Sequence, residues 1–403
     1  MARSFGAVAS GQVFFVLNFY ALVLLVAGFS AESGLGYFTA KKQLAPTGAA
    51  MVAVGWTALV TLALWGLLPW LGGQSVQLPL PQYGLWALLY LSGYLLLVYF
   101  TALFNALQHF ILPNLVAVLS NITLIVLLPW QSGGMATVDP FMRWYLLAFF
   151  AQGLVLALAY IIWYAQSRPL QWPKMPILRQ LVRYSLQAFA ANLLFFMVYR
   201  VDYWLVNYFC DDKALLGNYI QVSKLAQVFF IVPGIVATAV FSVTAAGEKA
   251  AMSQTVQRLS RFIFTGAVLI CAVLAVIGYW LFPWIFGEGF IQMYGPFLLL
   301  VPGILAIATL YPYTAYYAGK NKVRHNIIGS LLALVVIIVA DCLLIPLWNI
   351  SGAALASSLG YLVYEGYILW QFKKEYGIRL RDCFILQASD WQMIRQAVQN
   401  KAT

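Results

Sequence analysis

Charge is what this sequence has least of: only 9% of its 403 residues are Asp, Glu, Lys or Arg, where a soluble domain carries about 25%. The shortage excludes an extensive water-facing surface, and with it a large soluble catalytic domain. Cysteine is scarce as well, and Cys210, Cys271, Cys342 and Cys383 show neither paired nor metal-type spacing. They therefore indicate no disulfide framework and no thiolate metal site. A Walker loop, a dinucleotide Gly pattern, an HExxH pair and clustered metal ligands are all missing. What the chain has instead is apolar bulk, with 63% hydrophobic residues, 14 Trp and a mean hydropathy of +0.84. A bilayer span takes about 20 largely apolar residues, so the length accommodates about a dozen.

Eleven apolar stretches stand out, at 8–29, 47–70, 83–105, 110–130, 142–166, 185–209, 217–245, 261–286, 290–317, 326–347 and 350–372. The first is too long and lacks a nearby small-residue cleavage site, so it is a span rather than a cleaved leader. Trp70, Trp130, Trp144, Trp284, Trp348 and Trp370 fall at span ends, where an amphipathic indole suits the headgroup region. Lys and Arg alternate strictly between the two sides, 18 against three. Because cytoplasmic loops retain basic residues, the pattern places the C-terminus in the cytoplasm and, with eleven spans, the N-terminus outside. The net charge of +11 is thus a topology signal, and nucleic acid is not an expected partner. Ile177 to Ser185, with Arg179 and Arg183 on one face, predicts a short interfacial helix. Phe384, Leu386, Trp391, Ile394 and Val398 predict a second surface helix in the tail.

The chain also repeats itself. FGAVASGQVFFVLNFYALVLLVAGFSA from Phe5 matches LGNYIQVSKLAQVFFIVPGIVATAVFSVTA from Leu216, with a shared Gln-Val-Phe-Phe block. Both segments would enter from outside, so the repeats are parallel, related by an axis along the membrane normal. A whole span precedes Leu216 but only four residues precede Phe5. The repeat therefore predicts twelve spans, and the expectation is that the given start lies inside a longer reading frame, the alternative being loss of the first helix.

Five ionisable residues lie within spans: Arg200, Asp202, Lys224, Asp341 and Glu365. Each costs about 2.5 to 3.5 kcal/mol at a helix centre, so such groups face a cavity or one another. Two readings stand side by side. Asp202 pairs with Lys224 and Arg200 with Asp341 as structural ion pairs, or Arg200 and Lys224 present a cationic patch to an anion. Glu365 offers a proton or cation acceptor, and His109 and His325 sit at cytoplasmic span ends as interfacial residues. The outer loops are too short to build a catalytic face for a glycan polymerase or ligase. Without a nucleotide site, transport would run on a gradient or on consumption of its product.

Three stretches resemble a known family: LLGNYIQVSKLAQVFFIVPGIVATAVFSVTA, then FGEGFIQMYGPFLLLVPGILAIATLYPYTAYYAGKNKVRHN, and the LLIPLWNISGAALASSLGYLVYEG ending. They are similar to polysaccharide and O-antigen flippases of the multidrug/oligosaccharidyl-lipid/polysaccharide exporter superfamily. The resemblance runs from Phe5 to about Tyr376. It implies an all-α polytopic membrane protein of two helical bundles around a central cavity, with the family's first helix missing. The expected division is an N-terminal lobe at 1–166, a cytoplasmic linker at 167–184, a C-terminal lobe at 185–372 and a tail at 373–403. The implied activity is translocation of an undecaprenyl-pyrophosphate-linked oligosaccharide across the bacterial cytoplasmic membrane, without a cofactor. Implied partners are the lipid-linked substrate, membrane lipids, a polysaccharide polymerase and chain-length regulators. Arg200, Lys224, Asp202, Asn192, Tyr199 and Tyr203 would line the cavity, with Asp341 and Glu365 as coupling or ion-pair residues. The alternatives are a cation-coupled multidrug exporter of the same superfamily and a membrane scaffold for glycan-synthesis enzymes.

Overall fold

In hydrocarbon every backbone N–H and C=O must be satisfied within the protein, which favours helices. The structure, a computed structural model, describes residues 2–72, 84–127, 138–165, 171–245, 252–387 and 390. Among them are no strands, and the helices are α1 (Ala2–Gly28), α2 (Ala31–Ala40), α3 (Pro46–Gly72), α4 (Leu85–Ala106), α5 (Ile111–Val126) and α6 (Val138–Tyr160). They continue as α7 (Met175–Phe209), α8 (Lys213–Val228), α9 (Ile231–Ala245), α10 (Met252–Phe286), α11 (Tyr294–Gly319) and α12 (Val323–Tyr376). Among the described residues eight helices are long and apolar enough to cross a membrane, or nine with α8 and α9 taken as one bent span.

The 54 residues of α12 would reach about 80 Å if straight, at 1.5 Å per residue, far beyond a hydrocarbon core of about 30 Å. They form a hairpin instead. Asn349 lies at φ 49°, ψ −133° next to Trp348 at φ −128°, ψ 15°, a backbone reversal that Asn tolerates better than most residues. A methyl group built on Gly352 would strike the Leu344 carbonyl, one on Gly360 the Ile337 side chain, and one on Gly329 the Tyr364 ring. That order is antiparallel. The two arms, 323–347 and 350–376, account for the last two apolar stretches. Together with α5, apolar but only 16 residues long, and the bent pair α8 and α9, they reconcile eleven stretches with eight long helices.

The repeated segments break at different places. α1 is interrupted at Gly6 (φ 76°, ψ 175°), stays helical through Gln12 to Phe15 and ends at Phe29 and Ser30, both at positive φ. In the second copy the Gln227 to Phe230 block is itself the break, and the helix axis bends there by 43°. Pro233 supplies the reason: its ring meets the carbonyl of Phe229 four residues back, and it has no N–H to donate.

The chain divides into two compact units. One comprises 3–5 and 12–196, the other 6–11 and 197–403 together with Ala2, so the division falls inside α7 at Phe196 and Met197. Ile177 to Ser185 forms part of the opening stretch of this same unbroken helix, which has no Pro or Gly from Leu178 to Phe209. In the first unit α4 packs against α6, α2 and α3. Its tightest point is Gly93 against Gly153, where neither position has room for a side chain. Tyr90, Tyr94, Tyr145 and Phe149 stack alongside, with ring centroids 4.9 to 6.4 Å apart. In the second unit α11 is central, packed on α12, α9 and α10, with Phe297, Ile304, Ala308, Tyr313 and Tyr317 fully buried. The expected second surface helix falls mostly on 391–403, outside the described residues, as does Trp130.

The hairpin register is testable. Gly360→Leu forces a side chain onto Ile337 and the Ala333 carbonyl, an overpacking expected to cost about 1–3 kcal/mol. It should lower the thermal midpoint of the detergent-purified protein. Gly266→Ala, where no atom lies within 4 Å, should leave that midpoint unchanged.

Candidate functional site

A buried polar cluster inside the second unit is built by α7, α8 and the two arms of α12. Asp202 of α7 is 2% exposed. Its Oδ2 accepts from the hydroxyl of Tyr219 on α8 and, at 3.1 Å, from Oγ of Ser357 on the second arm of α12. The two hydroxyls are 3.2 Å apart, so one carboxylate oxygen anchors a closed triangle. Oδ1 of Asp202 has no hydrogen-bond partner among the described residues. Asp341, on the first arm, is fully buried, and neither of its oxygens accepts a hydrogen bond there. It lies within electrostatic reach of Asp202.

Beside the triangle is a cavity of about 10 Å³ lined by Tyr199, Asp202, Ser223, Gln227, Ser357 and Tyr361 among others, just enough for one water-sized occupant. A buried carboxylate without hydrogen bond or counter-ion is costly, so a proton or a cation must neutralise it. The arrangement can therefore take up and release one small positive charge. Its polar lining, the Asp202 carboxylate with hydroxyl and amide groups, is the chemistry of a hard cation or a proton.

Two cations lie near this triangle, and Arg200 is within electrostatic reach of Asp202. Arg200 and Lys224 are both half-buried, lie within electrostatic reach of each other, and each has interaction partners. Asp202 takes its two hydrogen bonds from Tyr219 and Ser357, and the oxygens of Asp341 accept none. Tyr203 is fully buried, 6.0 Å from the Tyr219 ring. Tyr199 packs between Tyr361 at 5.7 Å and Phe230 at 6.0 Å. Asn192 belongs to the other unit, where its Nδ2 donates to Ser30 Oγ at 2.9 Å. Glu365, eight residues beyond Ser357 on the same arm, is 7% exposed and accepts from Thr309 Oγ1 of α11.

Sequence reasoning missed Tyr219, Ser223, Gln227, Ser357 and Tyr361. A signal was present. Tyr219, Ser223 and Gln227 are spaced by four residues on α8, and Ser357, Tyr361 and Glu365 are spaced by four on α12. Each trio makes a polar stripe on one face of an otherwise apolar helix. Searching for charges alone passes over both.

Removing the Tyr219 hydroxyl tests the triangle. Tyr219→Phe should destabilise the purified protein by about 1.5–3 kcal/mol, the range for a hydrogen bond to a charged group. Tyr208→Phe, on a side chain 79% exposed, should leave the denaturation midpoint where it is.

No model of a protein family matches this chain, and no curated protein does. Solved structures do. One is the lipid II flippase MurJ in an inward closed conformation, with a TM-score of 0.74 at 13% identity, covering 95% of this chain and 84% of that one. A mutant of the MATE transporter VcmN from Vibrio cholerae gives 0.66 at 15% identity, covering 93% and 90%. A multidrug resistance MATE family transporter of the MOP superfamily, inward-facing, gives 0.63 at 15%, covering 92% of both chains. The likeness spans nearly the whole chain and establishes a fold shared with this transporter superfamily.

Proposed function

We propose that this chain is a flippase for a lipid-linked oligosaccharide, moving an undecaprenyl-pyrophosphate-linked glycan across the bacterial cytoplasmic membrane for polysaccharide or O-antigen assembly. The observation that carries the reading is the placement of Arg200 and Lys224 within electrostatic reach of each other on the apolar helices α7 and α8. Two like charges held near each other inside a span repel; Asp202 offsets part of this at Arg200, and an anionic substrate group would offset more. A pyrophosphate suits the pair, since Arg grips phosphate oxygens in a two-pronged fork and Lys adds a point charge. Support also comes from the fold, which is that of a protein described as a lipid II flippase.

On this reading the two units rock in alternation, the pyrophosphate rests on the cationic residues, and the lipid tail stays in the bilayer. Asp202 and Asp341 take up the coupling proton or cation, and the C-terminus is cytoplasmic. Arg200→Ala and Lys224→Ala should each abolish glycan export when the chain complements a flippase-deficient strain, while the protein still accumulates in the membrane. Normal export by both variants would sink the assignment.

The second reading is a cation-coupled multidrug exporter. It is favoured by Asp202 beside a water-sized cavity, with Asp341 within electrostatic reach of it, and by the fold shared with MATE transporters. Expression in a drug-sensitive host separates the two. Resistance lost on Asp341→Asn but retained on Arg200→Ala marks an exporter, and no resistance with restored glycan export marks a flippase.

A further inference from the structure

Beyond α12 the chain does not run free. Gly377, at φ 65°, closes the helix through its N–H to the Lys373 carbonyl, and the following segment folds back onto α10 and α11. Cys383 is fully buried, and the Phe384 ring packs 5.1 Å from that of Phe264 on α10. Asp390, 1% exposed, is held by Arg261 of α10, itself 3% exposed. Nε donates to Oδ2 and Nη2 to Oδ1, both at 2.8 Å, while Nη1 donates to the Asp382 carbonyl at 2.7 Å. The Gln387 amide adds a bond to Oδ2 at 2.9 Å, and Arg258 stands 3.8 Å from Oδ1. One guanidinium thus gathers two points of the tail.

Beneath this fork lies a run of buried polar groups. Ser260 Oγ donates to the Thr309 carbonyl at 3.4 Å, and the Thr309 hydroxyl donates to Glu365. Tyr313, fully buried, lies within electrostatic reach of both Cys383 and Glu365. The tail therefore sits on the end of a polar column whose other end is a buried carboxylic acid.

We propose that residues 379–387 and Asp390 form a releasable strap, locked by the Arg261–Asp390 fork, that seals the Glu365 column from the aqueous phase. Release of the fork admits water and protons to Glu365. A buried ion pair is a poor source of net stability but a strongly two-state contact: intact, it is satisfied, and with one partner removed it leaves a buried charge that drives opening. Burial pushes the Asp390 carboxyl up, yet its bonds from Arg261 and Gln387 and the charges of Arg261 and Arg258 outweigh this and leave it below its ordinary value. Its contribution is therefore present above the ordinary carboxylate range and is lost only as pH falls below it, so the strap is closed at neutral pH. The inference rests on no choice of substrate.

Cys383 is a built-in reporter. In purified protein with Cys210, Cys271 and Cys342 replaced by Ala, Cys383 should react slowly with a charged maleimide at neutral pH. Asp390→Asn and Arg261→Gln should each speed that reaction at least about tenfold, the change that a shift of about 1.4 kcal/mol in the opening equilibrium gives. Arg261→Lys, which keeps the charge but loses the fork, should fall between. The exchanged pair, Arg261→Asp with Asp390→Arg, should restore protection, which a merely misfolded variant would not do. In the same variants Glu365 should become reactive to a water-soluble carbodiimide with a glycine ester, read by peptide mass spectrometry, with Glu365→Gln as the blank. Fast labelling of Cys383 in the parent protein overturns the strap, as does unchanged protection in both single variants. Exposure of Cys383 without reaction of Glu365 overturns the sealing role.

Discussion

Lipid removes the force that packs most proteins. Between helices already surrounded by hydrocarbon there is little apolar area left to hide, so association depends on close van der Waals approach and on polar groups that find each other. Both devices recur throughout this chain. Gly93 meets Gly153 in the first unit, Gly217 meets the Ala7 backbone in the second, and Gly352 and Gly360 let the arms of α12 close on each other. At each crossing a methyl group would occupy space that backbone or side chain already fills. The fold depends on where its glycines fall as much as on how apolar its helices are.

The polar contacts are fewer and more consequential. Tyr219 and Ser357 satisfy one oxygen of Asp202, Thr309 satisfies Glu365, and Gln152 donates to Ser120 at 2.8 Å between α6 and α5. Most are hydroxyl or amide donors, which cost less to bury than charged ones. Asp341 and the second oxygen of Asp202 are the exceptions, without hydrogen-bonded partners among the described residues, which makes them costly to bury in charged form.

Much of the architecture was legible beforehand. Each apolar stretch falls on helix, because hydropathy is a property of each residue and sums locally, but α7 and α10 begin ten and nine residues before their stretches, at Met175 and Met252. The Gln-Val-Phe-Phe block was legible as a repeat, yet its two copies differ in shape because Pro233 stands after one and not the other. Ile177 to Ser185 was read as a helix of its own, but nothing between it and Phe209 breaks the helix, so α7 continues through it. Of the candidate site residues, Asp202 and Asp341 come together, Arg200 and Lys224 lie near each other, and Asn192 turns to Ser30 in the other unit. Charges were visible one by one; their partners were not.

By itself the sequence determined the solvent of this protein, its all-helical character and the places where its spans run. Too few charges leave hydrocarbon as the surroundings, and hydrocarbon tolerates little else. Only the tertiary structure decided which helix faces meet. Asp202 reaches across 17 and 155 residues to Tyr219 and Ser357, and Arg261 across 129 to Asp390. Those partners depend on the rotation of each helix about its own axis, which is set by glycine contacts between segments far apart in the chain and leaves no mark on the hydropathy of any one of them.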